Sequence, residues 1–95
     1  MELYLYDKHG SCGVFSINSI VEDINKKIVR ICLNTIGDID FCEDKVLARY
    51  SESNQEDILT GISCIVVNIG NVKYYLYEFD YDNVVQELPF LRKVI

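Results

Sequence analysis

The strongest constraint on this fold is the stretch from Ile62 to Asp80, where two runs rich in β-branched and aromatic residues are separated only by Gly70-Asn71. Val, Ile and Tyr suit a pleated, half-buried surface. Gly-Asn between such runs reads as a hairpin turn, because both residues tolerate positive φ. The sequence therefore predicts a strand over Ile62–Ile69, a two-residue turn, and a returning strand over Val72–Asp80.

The remaining elements are read from the same alternation. Glu2-Leu-Tyr-Leu-Tyr6 alternates and is rich in β-formers, and Asp7 to Gly13 has turn composition. Residues 14–35 carry two patterns. Ile17, Ile20, Val21 and Ile24 have helical spacing, with Ser19 and Glu22 at the spacing of a capping box. The density of Ile and Val argues instead for strands. A turn at Asn25-Lys26 sets Ile24 opposite Lys27, Glu22 opposite Val29 and Ile20 opposite Ile31, which gathers Ile20, Ile24, Val29, Ile31 and Leu33 on one surface. The hairpin is preferred. Residues 43–50 are expected as a short helix, since Val46, Leu47 and Tyr50 share a helical face. Ser51 to Asp57 reads as a loop. Asp82-Asn83 should cap a short helix through Leu88 that Pro89 stops, and residues 90–95 form a final strand or a docking arm. The expected class is α+β, a small antiparallel sheet of about five strands with one or two short helices.

At 95 residues, with 49% hydrophobic and 25% charged residues and one proline, the composition suits a single globular domain over 1–95 and not a disordered tail. No apolar run approaches the roughly 18 residues of a membrane-spanning helix. The N-terminal residues lack the basic flank and long apolar stretch of a secretory signal, so a cytoplasmic location is expected. Frequent Ile, Asn, Asp and Lys point to an AT-rich coding source such as a bacterium or its mobile elements.

Charge narrows the function. Fifteen acids against nine bases give a net charge of −6, which disfavours direct binding to nucleic acid or to anionic membrane. Residues 1–36 are balanced, four acids against four bases, so the whole surplus lies in residues 37–95. Cys12, Cys32, Cys42 and Cys64 show no closely spaced ligand pair of the kind a zinc site needs, and reduced thiols are expected.

No cofactor, metal or catalytic group is expected. The one histidine, His9, sits beside Ser11 and Cys12 in a Gly-bounded turn, where residues so close in sequence seldom face each other as nucleophile and base. Asp38, Asp40, Glu43 and Asp44 cluster, but a calcium loop would need an oxygen ligand and a glycine where Cys42 and Glu43 stand. They read as a solvated acidic loop open to a partner.

The segment 73–82 is the most informative. Extended, it would place Tyr75, Tyr77, Phe79 and Tyr81 on one face and Tyr74, Leu76, Glu78, Asp80 and Asp82 on the other. Carboxylates at alternate strand residues stand about 7 Å apart, close to phosphate spacing. The aromatic face is either a core wall or an exposed platform. These features point to an acidic interaction protein that inhibits or neutralises a basic, nucleic-acid-binding protein such as a nuclease, an effector complex or a toxin. The residues expected to meet that partner are Glu78, Asp80, Asp82, Tyr75, Tyr77, Tyr81, Asp38, Asp40, Glu43 and Asp44. Two alternatives remain open. One is a small-molecule, nucleotide-like binder with a cleft lined by Tyr75, Tyr77 or Tyr81, for which Lys26, Lys27, Arg30 or Lys73 would have to offset the acids. The other is a self-associating subunit packed through Leu91, Val94 and Ile95.

Overall fold

The computed structural model describes residues 1–53, 55–88 and 92–94, the last three by their backbone alone. The chain is mostly sheet, which corrects the expected class. The strands are β1 (Glu2–Asp7), β2 (Cys12–Asp23), β3 (Ile28–Leu33), β4 (Gly37–Phe41), β5 (Val46–Tyr50), β6 (Glu56–Ile58), β7 (Ile62–Ile69), β8 (Val72–Leu76) and β9 (Arg92–Val94). The only helix among the described residues is α1 (Tyr81–Glu87). Eight strands follow one antiparallel path, β6-β5-β4-β3-β2-β1-β7-β8, and β9 joins β2 in parallel at Val21–Asp23. Among the described residues no helix is long and apolar enough to cross a membrane.

The long strand β2 ties two halves of the sheet together. Cys12–Ser16 pair with β1, whereas the residues from Ile17 to Asp23 pair with β3, with a register shift between Ile17 and Ser19. An irregularity of this kind bends a strand and increases its twist. The two halves bury one core. Leu3, Ile65, Val67 and Leu76 come from one half, and Val29, Ile31, Ile39, Phe41 and Val46 from the other. Each large side chain taken fully from water here contributes roughly 1.5–3 kcal/mol. Helix α1 adds Tyr81 and Val84 to that core, its C-cap residue Leu88 joins them, and the helix packs against β3 and β8.

The β2–β3 hairpin has the register the sequence suggested, with Ile20 opposite Ile31 and Glu22 opposite Val29. Its connection is wider than two residues. The strands stop at Asp23 and Ile28, Lys27 takes φ 53, and Ile24 is 40% exposed rather than part of the core. The β7–β8 turn is tight. Gly70 alone has positive φ (62) there, the signature of a turn with glycine first.

Three further expectations are overturned. Residues 46–50 form a strand and not a helix. They alternate, with Val46 and Ala48 buried, and β4 offers a free edge along which they pair. Glu56–Ile58, read as loop or its flank, form the short outer strand β6. The strand expected to run to Asp80 stops at Leu76. Leu76 is fully buried, so continued alternation would have driven Glu78, Asp80 and Asp82 into the core. Unpaired carboxylates there are far costlier than ending the strand. The chain instead turns away, and Phe79 and Tyr81 become the inward residues.

Gly37 opens β4 with φ 127, and a Cβ there would stand 1.9 Å from the Arg49 carbonyl oxygen. Only glycine lets β5 approach this closely. Of the expected self-association residues, Leu91 and Ile95 lie outside the described residues, and Val94 is placed only as backbone in β9. Pro89 also lies outside them.

Candidate functional site

Two of the expected surface groups are buried, one under arginines on the outer face of the sheet and one in the core. Asp40 on β4 is 2% exposed and sits opposite Arg30 of β3. The Arg30 guanidinium donates two hydrogen bonds to it, at 2.8 Å from Nε and 2.9 Å from Nη2, and Arg49 of β5 lies 3.5 Å away. The same Arg49 donates to Glu56 at 3.1 Å. Charge on this outer strand surface is thus neutralised within the chain. The bond to Asp40 also raises the pKa of Arg30. Tyr81 is 8% exposed, and its hydroxyl donates to Oε2 of the buried Glu22. That bond, then burial, push the Tyr81 pKa up to about 12. Oε1 of Glu22 has no hydrogen-bond partner among the described residues.

The other expected acids sit in connections. Glu43 and Asp44 are exposed between β4 and β5, with Glu43 4.0 Å from Lys27. Glu78 is exposed after β8, Asp82 is exposed in the first turn of α1, and Asp38 is half-buried on β4. Asp80 is half-buried at the N-cap of α1, where its carboxylate accepts from the Asn83 side chain. Among the described residues Asp44, Glu78 and Asp82 make no ion pair within 4.0 Å. Nor do Glu78, Asp80 and Asp82 form a row, since the strand that would have aligned them ends first.

A different grouping replaces the row. Tyr81 N–H donates to the Cys42 carbonyl at 2.9 Å, which holds the start of α1 against the β4–β5 connection. A groove of about 300 Å³ results, in which Glu43 and Asp44 from one connection share a rim with Asp80 from the other. Lys45 lies beside them, and Leu59, Phe79 and the 61% exposed Ile58 give the groove an apolar lining. An acidic pair and a single carboxylate more than thirty residues apart in sequence therefore border one apolar depression.

The aromatic residues separate in the same way. Tyr75 (48% exposed) and Tyr77 (69%) face outward with rings stacked, centroids 6.4 Å apart and planes 9° apart. Phe79 packs against the core and Tyr81 lies within it. Sequence reasoning missed the partners of the outward pair. Register sets Val14, Tyr4, Val66 and Tyr75 in one cross-strand row, and Cys12, Tyr6 and Cys64 in the next. Tyr4, Tyr6, Cys64, Lys73, Tyr75 and Tyr77 line a groove of about 280 Å³ on this face. Val66 faces outward yet is only 4% exposed, because the flanking tyrosines cover it. Burial, then the neighbouring Cys12 thiol, raise the Tyr6 pKa. The alternation Tyr4-Leu5-Tyr6 was the available signal, but it acquires meaning only once β1 is known to pair with β7.

Burial also raises the pKa of the Cys32, Cys42 and Cys64 thiols, and Cys12 is exposed; all four stand as free cysteines. Among the described residues no group of three or more His, Cys, Asp or Glu side chains converges as metal ligands would. Comparison of the chain with protein-family models, curated proteins and solved structures gives no match.

Proposed function

We propose that this chain is a non-enzymatic interaction protein that occupies the basic surface of a nucleic-acid-binding protein, such as a nuclease, an effector complex or a toxin, and so neutralises it. The observation that carries this reading is the acid-rimmed groove, where Glu43, Asp44 and Asp80 border Ile58, Leu59 and Phe79. Such a surface suits a segment bearing lysine or arginine beside an apolar anchor. The apolar contact supplies desolvated area, and the carboxylates steer the encounter and fix orientation. The net charge of −6 adds attraction at longer range, limited to about 8 Å at physiological salt. Asp40 has no part in this contact, because its charge is spent on Arg30 and Arg49. The partner is basic protein; direct binding to nucleic acid is not part of this reading.

The test is amide chemical-shift mapping with a synthetic amphipathic peptide, lysine on one face and leucine on the other. Shifts should concentrate at residues 43–46, 58–59 and 79–80 and fade as salt is raised. Shifts spread evenly over all acidic surfaces, or insensitive to salt, would remove the groove from the account.

A second reading has its own support. The tyrosine groove carries one cation, Lys73, which offsets the surplus negative charge for a planar anionic ligand stacked on Tyr75 or Tyr77. A thermal-shift panel of nucleotides tests it. Stabilisation by one of them, lost in Tyr75→Ala, would favour this reading over the first.

A further inference from the structure

The two ends of the sheet differ. β6 is three residues long and begins Glu56-Asp57, the short, charged form by which proteins discourage strand addition. β8 is Val72-Lys-Tyr-Tyr-Leu76, with no proline or acid, and it pairs with β7 without a register shift. Among the described residues no strand lies on its outer side. We infer that β8 is an interface between two copies of this chain, joined edge to edge across a two-fold axis at Tyr74.

The register follows from geometry. A two-residue hairpin turn is closed by a hydrogen-bonded pair, here Ile69 and Val72, and the pattern alternates from there. Val72, Tyr74 and Leu76 therefore turn their backbone groups toward β7, while Lys73 and Tyr75 turn theirs outward. An antiparallel copy centred on Tyr74 brings Lys73 of one copy opposite Tyr75 of the other, twice, as hydrogen-bonded pairs. Centring on Lys73 would set two ammonium groups face to face, which is unfavourable. The chosen register places each lysine beside a tyrosine ring, a cation–π arrangement.

Charge argues for a second copy as the occupant. The face next to this edge has Lys73 as its one charged lining residue, on a chain of net charge −6. Glu2, two strands away in the same cross-strand row as Lys73, is held by the N-terminal ammonium at 3.0 Å and by Asn68 at 3.1 Å. Two copies thus meet along a strand that carries a lysine and no acid. Pairing them would continue the face of Tyr4, Tyr6, Tyr75 and Tyr77 across the axis.

The experiment is sedimentation equilibrium of the full chain at physiological salt up to millimolar concentration, with amide hydrogen exchange. The mass should rise with concentration toward twice the 11.0 kDa of one chain, with protection appearing at Lys73 and Tyr75. Tyr75→Lys, at an outward residue, should weaken association by about tenfold or more, since it opposes two like charges. Tyr75→Glu should retain it, because the new carboxylate meets Lys73. Circular dichroism confirms that both variants fold. A wild-type chain that stays at 11.0 kDa, or equal loss in the two variants, overturns the proposal. So does edge protection that appears only when the basic peptide is added, which would assign β8 to a different protein.

Discussion

Asp40 and Asp44 lie four residues apart, as do Tyr77 and Tyr81, and in each pair the fold buries one residue and leaves the other in solvent. The buried members sit where elements are packed together. Asp40 is on a central strand between two arginine-bearing neighbours, and Tyr81 is at the start of the helix that closes the core. The solvent-facing members sit beyond that packing, Asp44 in a connection and Tyr77 just past the end of β8. Residue type alone therefore does not decide which member of each pair reaches solvent. Position relative to the packed elements does.

The comparison can be broken most sharply at Asp40. Replacing one partner of a buried ion pair costs about 3–5 kcal/mol. Arg30 keeps 38% of its side chain in solvent, which lowers the expected loss for Asp40→Ala to about 2–3 kcal/mol. Urea denaturation should show that loss, while Asp44→Ala should stay within about 0.5 kcal/mol of wild type. Equal losses would mean that Asp40 is not buried in a pair as described.

The tyrosine pair should respond next. Tyr81→Phe removes the hydroxyl that Glu22 accepts from and leaves a buried carboxylate without a donor, at a cost of about 1–3 kcal/mol. Tyr77→Phe should change stability by less than about 0.5 kcal/mol. The pH dependence gives an independent check. The fold favours the neutral Tyr81 phenol, so its pKa rises from 10.0 to about 12. Its contribution to stability is whole below pH 10.0 and is lost as pH climbs toward about 12. The stability difference between wild type and Tyr81→Phe should narrow over that window, and an ultraviolet phenol titration of the variant should lose amplitude near pH 12.

Much of the sheet was legible because short-range signals set it. Ile and Val density marked β2 and β3 as strands, a turn centred on Asn25-Lys26 gave their register, and Gly70-Asn71 marked the turn between β7 and β8. The count of about five strands fell short because Asp38-Ile39-Asp40-Phe41, although alternating, has the acid content of a solvated loop, while the apolar spacing of β5 also suits a helix and β6 is only three residues long. Their pairing rests on cross-strand partners, Arg30 with Asp40 and Asp38 with Arg49, that local spacing cannot supply. The expected carboxylate row failed for a related reason. Alternation continued past Leu76 puts Glu78 on the face that Leu76 gives to the core, and local spacing does not reveal which face that is. Glu43, Asp44, Asp80, Tyr75 and Tyr77 were named from sequence and do line the two surface grooves, whereas Tyr4, Tyr6 and Ile58 required the tertiary fold to be found.

The smallest effect on stability should accompany the largest effect on recognition. The most direct measurement is calorimetric titration of the lysine–leucine peptide into two charge-matched variants at low salt. Glu43→Gln/Asp44→Asn changes the groove rim, and Glu52→Gln/Glu87→Gln changes exposed acids outside it. The account predicts about tenfold weaker binding for the first pair, roughly 1.4 kcal/mol, and less than about twofold for the second. Equal weakening in both would show that binding follows net charge alone, and the acid-rimmed groove would lose its place as the recognition site.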